Sequence, residues 1–263
     1  MLLLHGFPEF WYEWRNLMPA FENEFLVVAP DLRGYNLSDK PARVEDYAVS
    51  CLIGDVSGLI DHYSNEGKAT IVGHDWGGVV AWAFAIAHPD SVEKLIIINA
   101  PHPAIFMREL ALNPEQEKAS GYIHKFKMPE AESRLSEDGF ARLKRMVFET
   151  ASHPEVFPSD VQNEYVKAWS QAGALTGGLN YYRASRIFPD KPPDFLEKLV
   201  VSVPTLVIWG ERDKALLTGN LDGLQDYVPD LMIQRIPGGT HWVIHEEPDR
   251  VTGLIRSFLI TDS

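Results

Sequence analysis

The sequence predicts an α/β fold, a mostly parallel sheet with helices on both faces, interrupted by a helical insertion. Three observations carry that expectation. Short apolar runs alternate with helical patterns in both outer thirds of the 263-residue chain. The stretch 101–199 holds amphipathic, charged segments and no convincing strand. The polar residues suited to chemistry stand in short turns directly after predicted strands, where open α/β sheets place their functional loops.

Taken in order, the predicted buried strands are 2–4, 26–29, 70–72, 95–98, 205–209 and 232–236. Between the second and third, Cys51, Ile53, Val56, Leu59, Ile60 and Tyr63 recur near helical spacing, and 79–87 reads as a buried helix stopped by Pro89. In the middle, segments 137–148 and 160–171 read as amphipathic helices, broken by Pro154, Pro158 and Pro189. That stretch is too long for a plain loop. The expected division is therefore a core at 1–100, a helical lid or cap at 101–199, and the core again at 200–263, resuming near Val203-Pro204. The first residues already form a buried strand, and a buried strand has neighbours on both sides. Either further strands precede it or one edge of the sheet is shortened.

Composition narrows the function. With 45% hydrophobic and 11% aromatic residues the chain can bury a large core. A formal net charge of −13, from 24 basic and 37 acidic residues, excludes nucleic acid or an anionic membrane surface as the main partner, since phosphate binding needs clustered cations. A neutral small molecule fits. The single cysteine, Cys51, permits no intrachain disulfide and reads as a small apolar side chain beside Leu52 and Val56. The opening Met1-Leu2-Leu3-Leu4 is too short for a signal-peptide core, and no apolar run approaches the roughly 18 residues needed to span a bilayer, so a soluble, cytoplasmic protein is expected. Residue order carries no signal for oligomeric state.

The main chemical feature is Gly73-His74-Asp75-Trp76-Gly77-Gly78, a small-residue turn between a buried strand and a helix. This is the context of the nucleophile elbow, written G-x-S-x-G in serine hydrolases, where flanking glycines permit a strained turn that exposes the central side chain. Here that residue is Asp75. A carboxylate is ionised at neutral pH and attacks without a base, forming an ester. Alone, G-x-D-x-G equally describes a helix N-terminus with a stabilising Asp. Two downstream features point to the elbow. Trp209-Gly210-Glu211-Arg212-Asp213 places acids just past a later strand, with Asp213 and Glu211 competing to orient a base. Gly238-Gly239-Thr240-His241 then places a histidine in a glycine-rich loop, so the order Asp75, acid, His241 matches nucleophile, acid, histidine. His241 and His245 are also four apart, but Trp242 stands where a zinc-binding H-E-x-x-H helix needs Glu. After the first strand, His5-Gly6-Phe7-Pro8-Glu9 corresponds to the loop that supplies one oxyanion-hole N–H, making Phe7 and Trp76 the expected donors.

Together with Asp31-Leu32-Arg33-Gly34-Tyr35 and Thr240-His241-Trp242, these motifs resemble the epoxide hydrolase and haloalkane dehalogenase branch of the α/β-hydrolase superfamily, and most of all soluble-type epoxide hydrolases. The resemblance spans nearly the whole chain. It implies the α/β-hydrolase fold with a helical cap, and a small, mostly apolar epoxide opened to a vicinal diol through an ester on Asp75. Water activated by His241, oriented by Asp213, would then hydrolyse that ester. No metal or organic cofactor is implied. It makes Tyr182, in Gly178-Leu179-Asn180-Tyr181-Tyr182-Arg183, a cap acid that protonates the epoxide oxygen. A second cap tyrosine is expected four residues before Pro129, where Lys125 stands instead; Tyr122, one turn earlier, substitutes if it points inward, or Tyr182 acts alone. Tyr122, Lys125 and Pro8 are the expected substrate contacts. The alternative, a haloalkane dehalogenase, would grip halide with the Trp76 indole, but Phe7 stands where its second donor, an Asn, is often found. Fluoroacetate dehalogenases carry an arginine where this chain has Trp76. A non-catalytic ligand-binding module is the reading from another class, and it has no use for a carboxylate nucleophile.

Overall fold

The structure is a computed structural model that describes residues 1–185 and 199–260. Its centre is a five-stranded parallel sheet in the order β1-β2-β3-β4-β5, built from β1 (Leu2–Leu4), β2 (Ala69–His74), β3 (Val92–Ile98), β4 (Thr205–Gly210) and β5 (Leu231–Ile236). Side chains of a strand alternate between faces. Accordingly Leu2, Leu4, Ile71, Ile97 and Val207 join one core, while Leu3, Val72, Ile96, Ile98, Leu206 and Ile208 join the other.

Two sequence expectations change at the sheet edges. The predicted strand 26–29 does not form: Val28 makes a single bridge to Leu2, through Leu3 N–H to Val28 O and Val28 N–H to Met1 O, both at 2.9 Å. The partner strand offers only three residues, and Pro30 has no N–H with which to extend the ladder. Strand β5, expected to be buried, is instead an edge strand with Met232 at 37% exposure. Apolar runs alone do not distinguish central from edge strands.

Between the strands run α1 (Met18–Phe21), α2 (Val49–Tyr63) and α3 (Asp75–Ala87), and α10 (Val243–Glu246) and α11 (Pro248–Ile260) close the described chain. Cys51 lies half-buried on α2. Between β3 and β4 stand α4 (Pro103–Leu112), α5 (Pro114–Ala119), α6 (Tyr122–Lys127), α7 (Ala131–Phe148), α8 (Ser159–Trp169) and α9 (Ala174–Ala184), with no strand among the described residues there. Helix α7 is broken by left-handed backbone at Asp138, Gly139 and Phe140. The predicted break at Pro189 lies outside the described residues.

Buried side chains tie this insertion to the core. Gln116 on α5 accepts from Leu217 N and Asn220 Nδ2 and donates to Ala215 O, each at 2.8 Å, in the loop that follows Asp213. From α8 the Trp169 indole donates to Pro8 O at 2.7 Å, and from α9 the Tyr181 hydroxyl donates to Arg33 O at 2.9 Å. The insertion is thus held over the C-terminal ends of the strands, where the turns predicted to carry chemistry emerge.

Candidate active site

The turn from β2 into α3 puts Asp75 in a left-handed conformation, φ 47°, which a non-glycine residue adopts only under constraint. Close packing supplies that constraint. A Cβ on Gly77 would fall 1.9 Å from Leu4 O, and one on Gly6 would fall 2.4 Å from the Asp75 Cβ. The missing side chains let the start of α3 press against the end of β1. Asp75 Oδ1 accepts the Phe7 N–H at 2.7 Å, and Oδ2 faces His241 Nε2 at 3.5 Å. Trp76, next along α3, carries one of the helix-terminal N–H groups that have no partner within the helix.

His241 Nδ1 lies 2.7 Å from Asp213 Oδ2. That carboxylate is buried and well supplied with donors: Asn99 Nδ2 at 2.8 Å on Oδ2, and Ala215 N at 2.8 Å and Leu216 N at 3.0 Å on Oδ1. Glu211, the competing acid, turns outward to Arg235 at 3.1 Å. Burial by itself would raise both aspartates. His241 outweighs it, aided by His74 and the Phe7 N–H at Asp75 and by the Leu216 N–H and Asn99 at Asp213, and both carboxyls fall below their usual range. Burial likewise opposes a proton on His241, yet Asp213 and Asp75 raise the imidazole well above its ordinary value.

These groups open into a cavity of about 250 Å³. Phe7, Asp75, His241 and Trp242 line it from the core, and Tyr122, Phe126, Met146 and Tyr182 line it from the insertion. Tyr182 is buried edge-on against both Trp76, at 5.1 Å between ring centroids, and Phe7, at 5.4 Å. Burial and then the Asp75 charge raise its phenol well above the ordinary range, opposed by a hydrogen bond with Trp76. Tyr122, also in the lining, stands 6.2 Å from Tyr182 between centroids, and burial with the charges of Asp75 and Asp213 raises it too. Both phenols are protonated donors that sense Asp75.

Two expected substrate contacts lie elsewhere. Lys125 is exposed and outside the cavity lining. At about 100° per residue, Tyr122, Ile123 and Phe126 share the inner face of α6, and Lys125 falls on the other side. Pro8 is outside the lining of this cavity and faces a smaller one beside Trp169, whose indole occupies its carbonyl. The sequence reading missed Asn99, which stands at the end of β3 with φ 40° and also accepts Gly210 N–H at 2.7 Å. A polar residue closing an apolar strand was the available signal. It also missed a buried polar layer below the site, formed by Glu9, Glu13, His74, Tyr165 and His245.

Among the described residues, one group could be considered for a metal: ligand atoms of Glu9, Glu13 and His245 lie within 4.8 Å of one another. Each already has protein partners. Glu9 accepts from the Tyr165 hydroxyl and contacts His245 Nε2 at 3.2 Å, while Glu13 pairs with His74. The Arg15 guanidinium, 3.4 Å from His245 Nδ1, adds a cation, so the donor set is balanced within the protein.

Known proteins resemble this chain in sequence and in fold. Residues 1–122 match the family described as alpha/beta hydrolase fold. The chain is 38% identical to mouse epoxide hydrolase 4, over 98% of this chain and 72% of that protein. It is 39% identical to a Bacillus subtilis protein named as an AB hydrolase superfamily member, over 98% of this chain and 89% of that one. A solved epoxide hydrolase from Bacillus megaterium superimposes with a TM-score of 0.92 at 36% identity, covering 99% of this chain and 93% of that chain.

Proposed function

The chain belongs to the α/β-hydrolase family, and from that premise we propose that it hydrolyses an epoxide to a vicinal diol through a covalent ester on Asp75. The carrying observation is the opposition across one cavity of a carboxylate, Asp75, and two protonated phenols, Tyr182 and Tyr122. On this reading the helices of the insertion form a cap that supplies the acid while the core supplies the nucleophile and base.

The Asp75 oxygen left free by the Phe7 N–H, Oδ2, attacks an epoxide carbon. The carbon–oxygen bond of the ring breaks, and Tyr182, aided by Tyr122, gives its proton to the departing oxygen. Esterification removes the charge on Asp75. Because that charge raises both Tyr182 and His241, its loss makes the phenol a better acid as the alkoxide develops and lets the imidazolium release its proton. Neutral His241, oriented by Asp213, then takes a proton from water, whose oxygen attacks the ester carbon. The resulting oxyanion forms on Oδ1, held by the N–H groups of Phe7 and Trp76. Collapse breaks the acyl bond, and the diol leaves with Oδ2 and the proton returned by His241. The new Asp75 carboxyl gives its proton to His241, and the phenolate is reprotonated from solvent, which had received the proton the imidazolium released earlier.

A haloalkane dehalogenase would share the ester but needs donors for halide. The Trp76 indole here engages Tyr182, and Phe7 offers no side-chain donor. Intact-protein mass spectrometry of His241→Gln separates the two. An epoxide adds its whole mass to Asp75, whereas a haloalkane adds only its alkyl part. Failure to form any adduct across a panel of epoxides, with no diol from wild type, sinks the reading.

A further inference from the structure

Three imidazoles are buried around the site, and their neighbours differ. His5 Nδ1 faces Gly6 O at 2.9 Å while Nε2 receives Leu32 N–H at 2.9 Å, one acceptor and one donor, as suits a neutral ring. His245 has the same arrangement, with the Arg15 guanidinium at Nδ1 and Glu9 at Nε2. His74 does not. Its Nδ1 meets the Glu13 carboxylate and its Nε2 lies 2.9 Å from the backbone carbonyl of His241. Both partners accept. A proton is therefore needed on Nε2 and another between Nδ1 and Glu13, and both side chains are buried, Glu13 at 0% and His74 at 1% exposure. An imidazole holds a proton more strongly than a carboxyl, and Glu13 Oε2 also accepts the Gly6 N–H at 3.3 Å.

We propose that Glu13 and His74 form a buried carboxylate–imidazolium pair that positions the His241 loop and keeps a fixed positive charge beside the base. Glu13 is a positioning residue, acting through His74. One carboxylate thereby joins the loop carrying Phe7, the residue before Asp75, and the loop carrying His241. The proposal rests on the roles given above to Asp75 and His241.

The charge has a direction. The His74 and His241 rings lie 4.7 Å apart between centroids, so a cation on one opposes a proton on the other. The charged groups facing His74 are Glu13, Asp75 and Glu9, which favour its proton, and His241, which opposes it. While Asp75 is ionised, His241 keeps its proton. Once the ester forms, the imidazolium of His74 drives that proton off, in the step where His241 must act as a base.

Two measurements test this. In wild type with nitrogen-15-labelled histidine, both ring nitrogens of His74 should carry protons at about pH 7; a single N–H there overturns the proposal, whatever any variant does. In Glu13→Gln, which keeps the shape and removes the charge, the acid limb of single-turnover ester hydrolysis should move up by roughly half to one pH unit. Glu13→Asp should restore it. An unmoved limb, with the rate lowered evenly at every pH, marks a merely structural role and overturns the inference. Failure of the underlying reading looks different, because wild type would then form no ester on Asp75 while the His74 spectrum stayed readable.

Discussion

On the proposed reading Tyr182 and Tyr122 would divide the acid role unequally, because only Tyr182 is both buried and in contact with Trp76, whose hydrogen bond opposes part of the rise caused by burial and Asp75. Tyr182→Phe should slow ester formation by about 10²- to 10³-fold, within the range for general acids, and Tyr122→Phe by only about tenfold, below it. Single-turnover kinetics would read both, and ester hydrolysis should be nearly unchanged. Equal effects of the two, or an effect of Tyr182→Phe on hydrolysis alone, would assign the acid elsewhere. At this scale motif and chain order singled out Asp75, Asp213 and His241, and the family resemblance singled out Tyr182; all four line one cavity. Lys125 was not, because a six-residue helix is too short for its periodicity to reveal which face turns inward. Glu13 and His74 were not legible as a pair either, since they come from separate elements and meet only in the folded core.

Helix α3 can begin where it does only because its first turn lies against the end of β1. Gly77→Ala would drive a Cβ into the Leu4 carbonyl, a backbone atom that cannot swing aside, so a loss of about 3 kcal/mol is expected. Thermal or urea unfolding would register it, and a variant as stable as wild type would mean that the elbow is looser than its geometry implies. At the other side of β1 the predicted strand 26–29 is reduced to its single bridge. Apolar composition reports neither burial nor pairing at this edge: Leu26 is 64% exposed, and the neighbouring strand presents only three residues.

Across the whole molecule, stability and activity share charges. Asp75 and Asp213 are both held below their usual range, so each binds fewer protons folded than unfolded at a given acid pH. Their stabilisation is full above the unfolded value of about 3.9 and is lost as pH falls through the folded values. Urea midpoints should therefore drop more steeply in wild type than in Asp213→Asn between about pH 5 and 3; parallel declines would place the acid-sensitive groups elsewhere. The sequence by itself determined the α/β order, the helical segments between β3 and β4, and Asp75 in its strand-to-helix turn with Asp213 and His241 following later strands, because these reside in local periodicity, turn chemistry and chain order. Tertiary structure alone decided which side chains of α6 line the cavity with Asp75, where the sheet thins to an edge, and that a second buried carboxylate–imidazole pair lies beside the first. Those outcomes depend on burial and hydrogen-bond partners contributed by segments far apart in the chain, which no stretch of sequence contains.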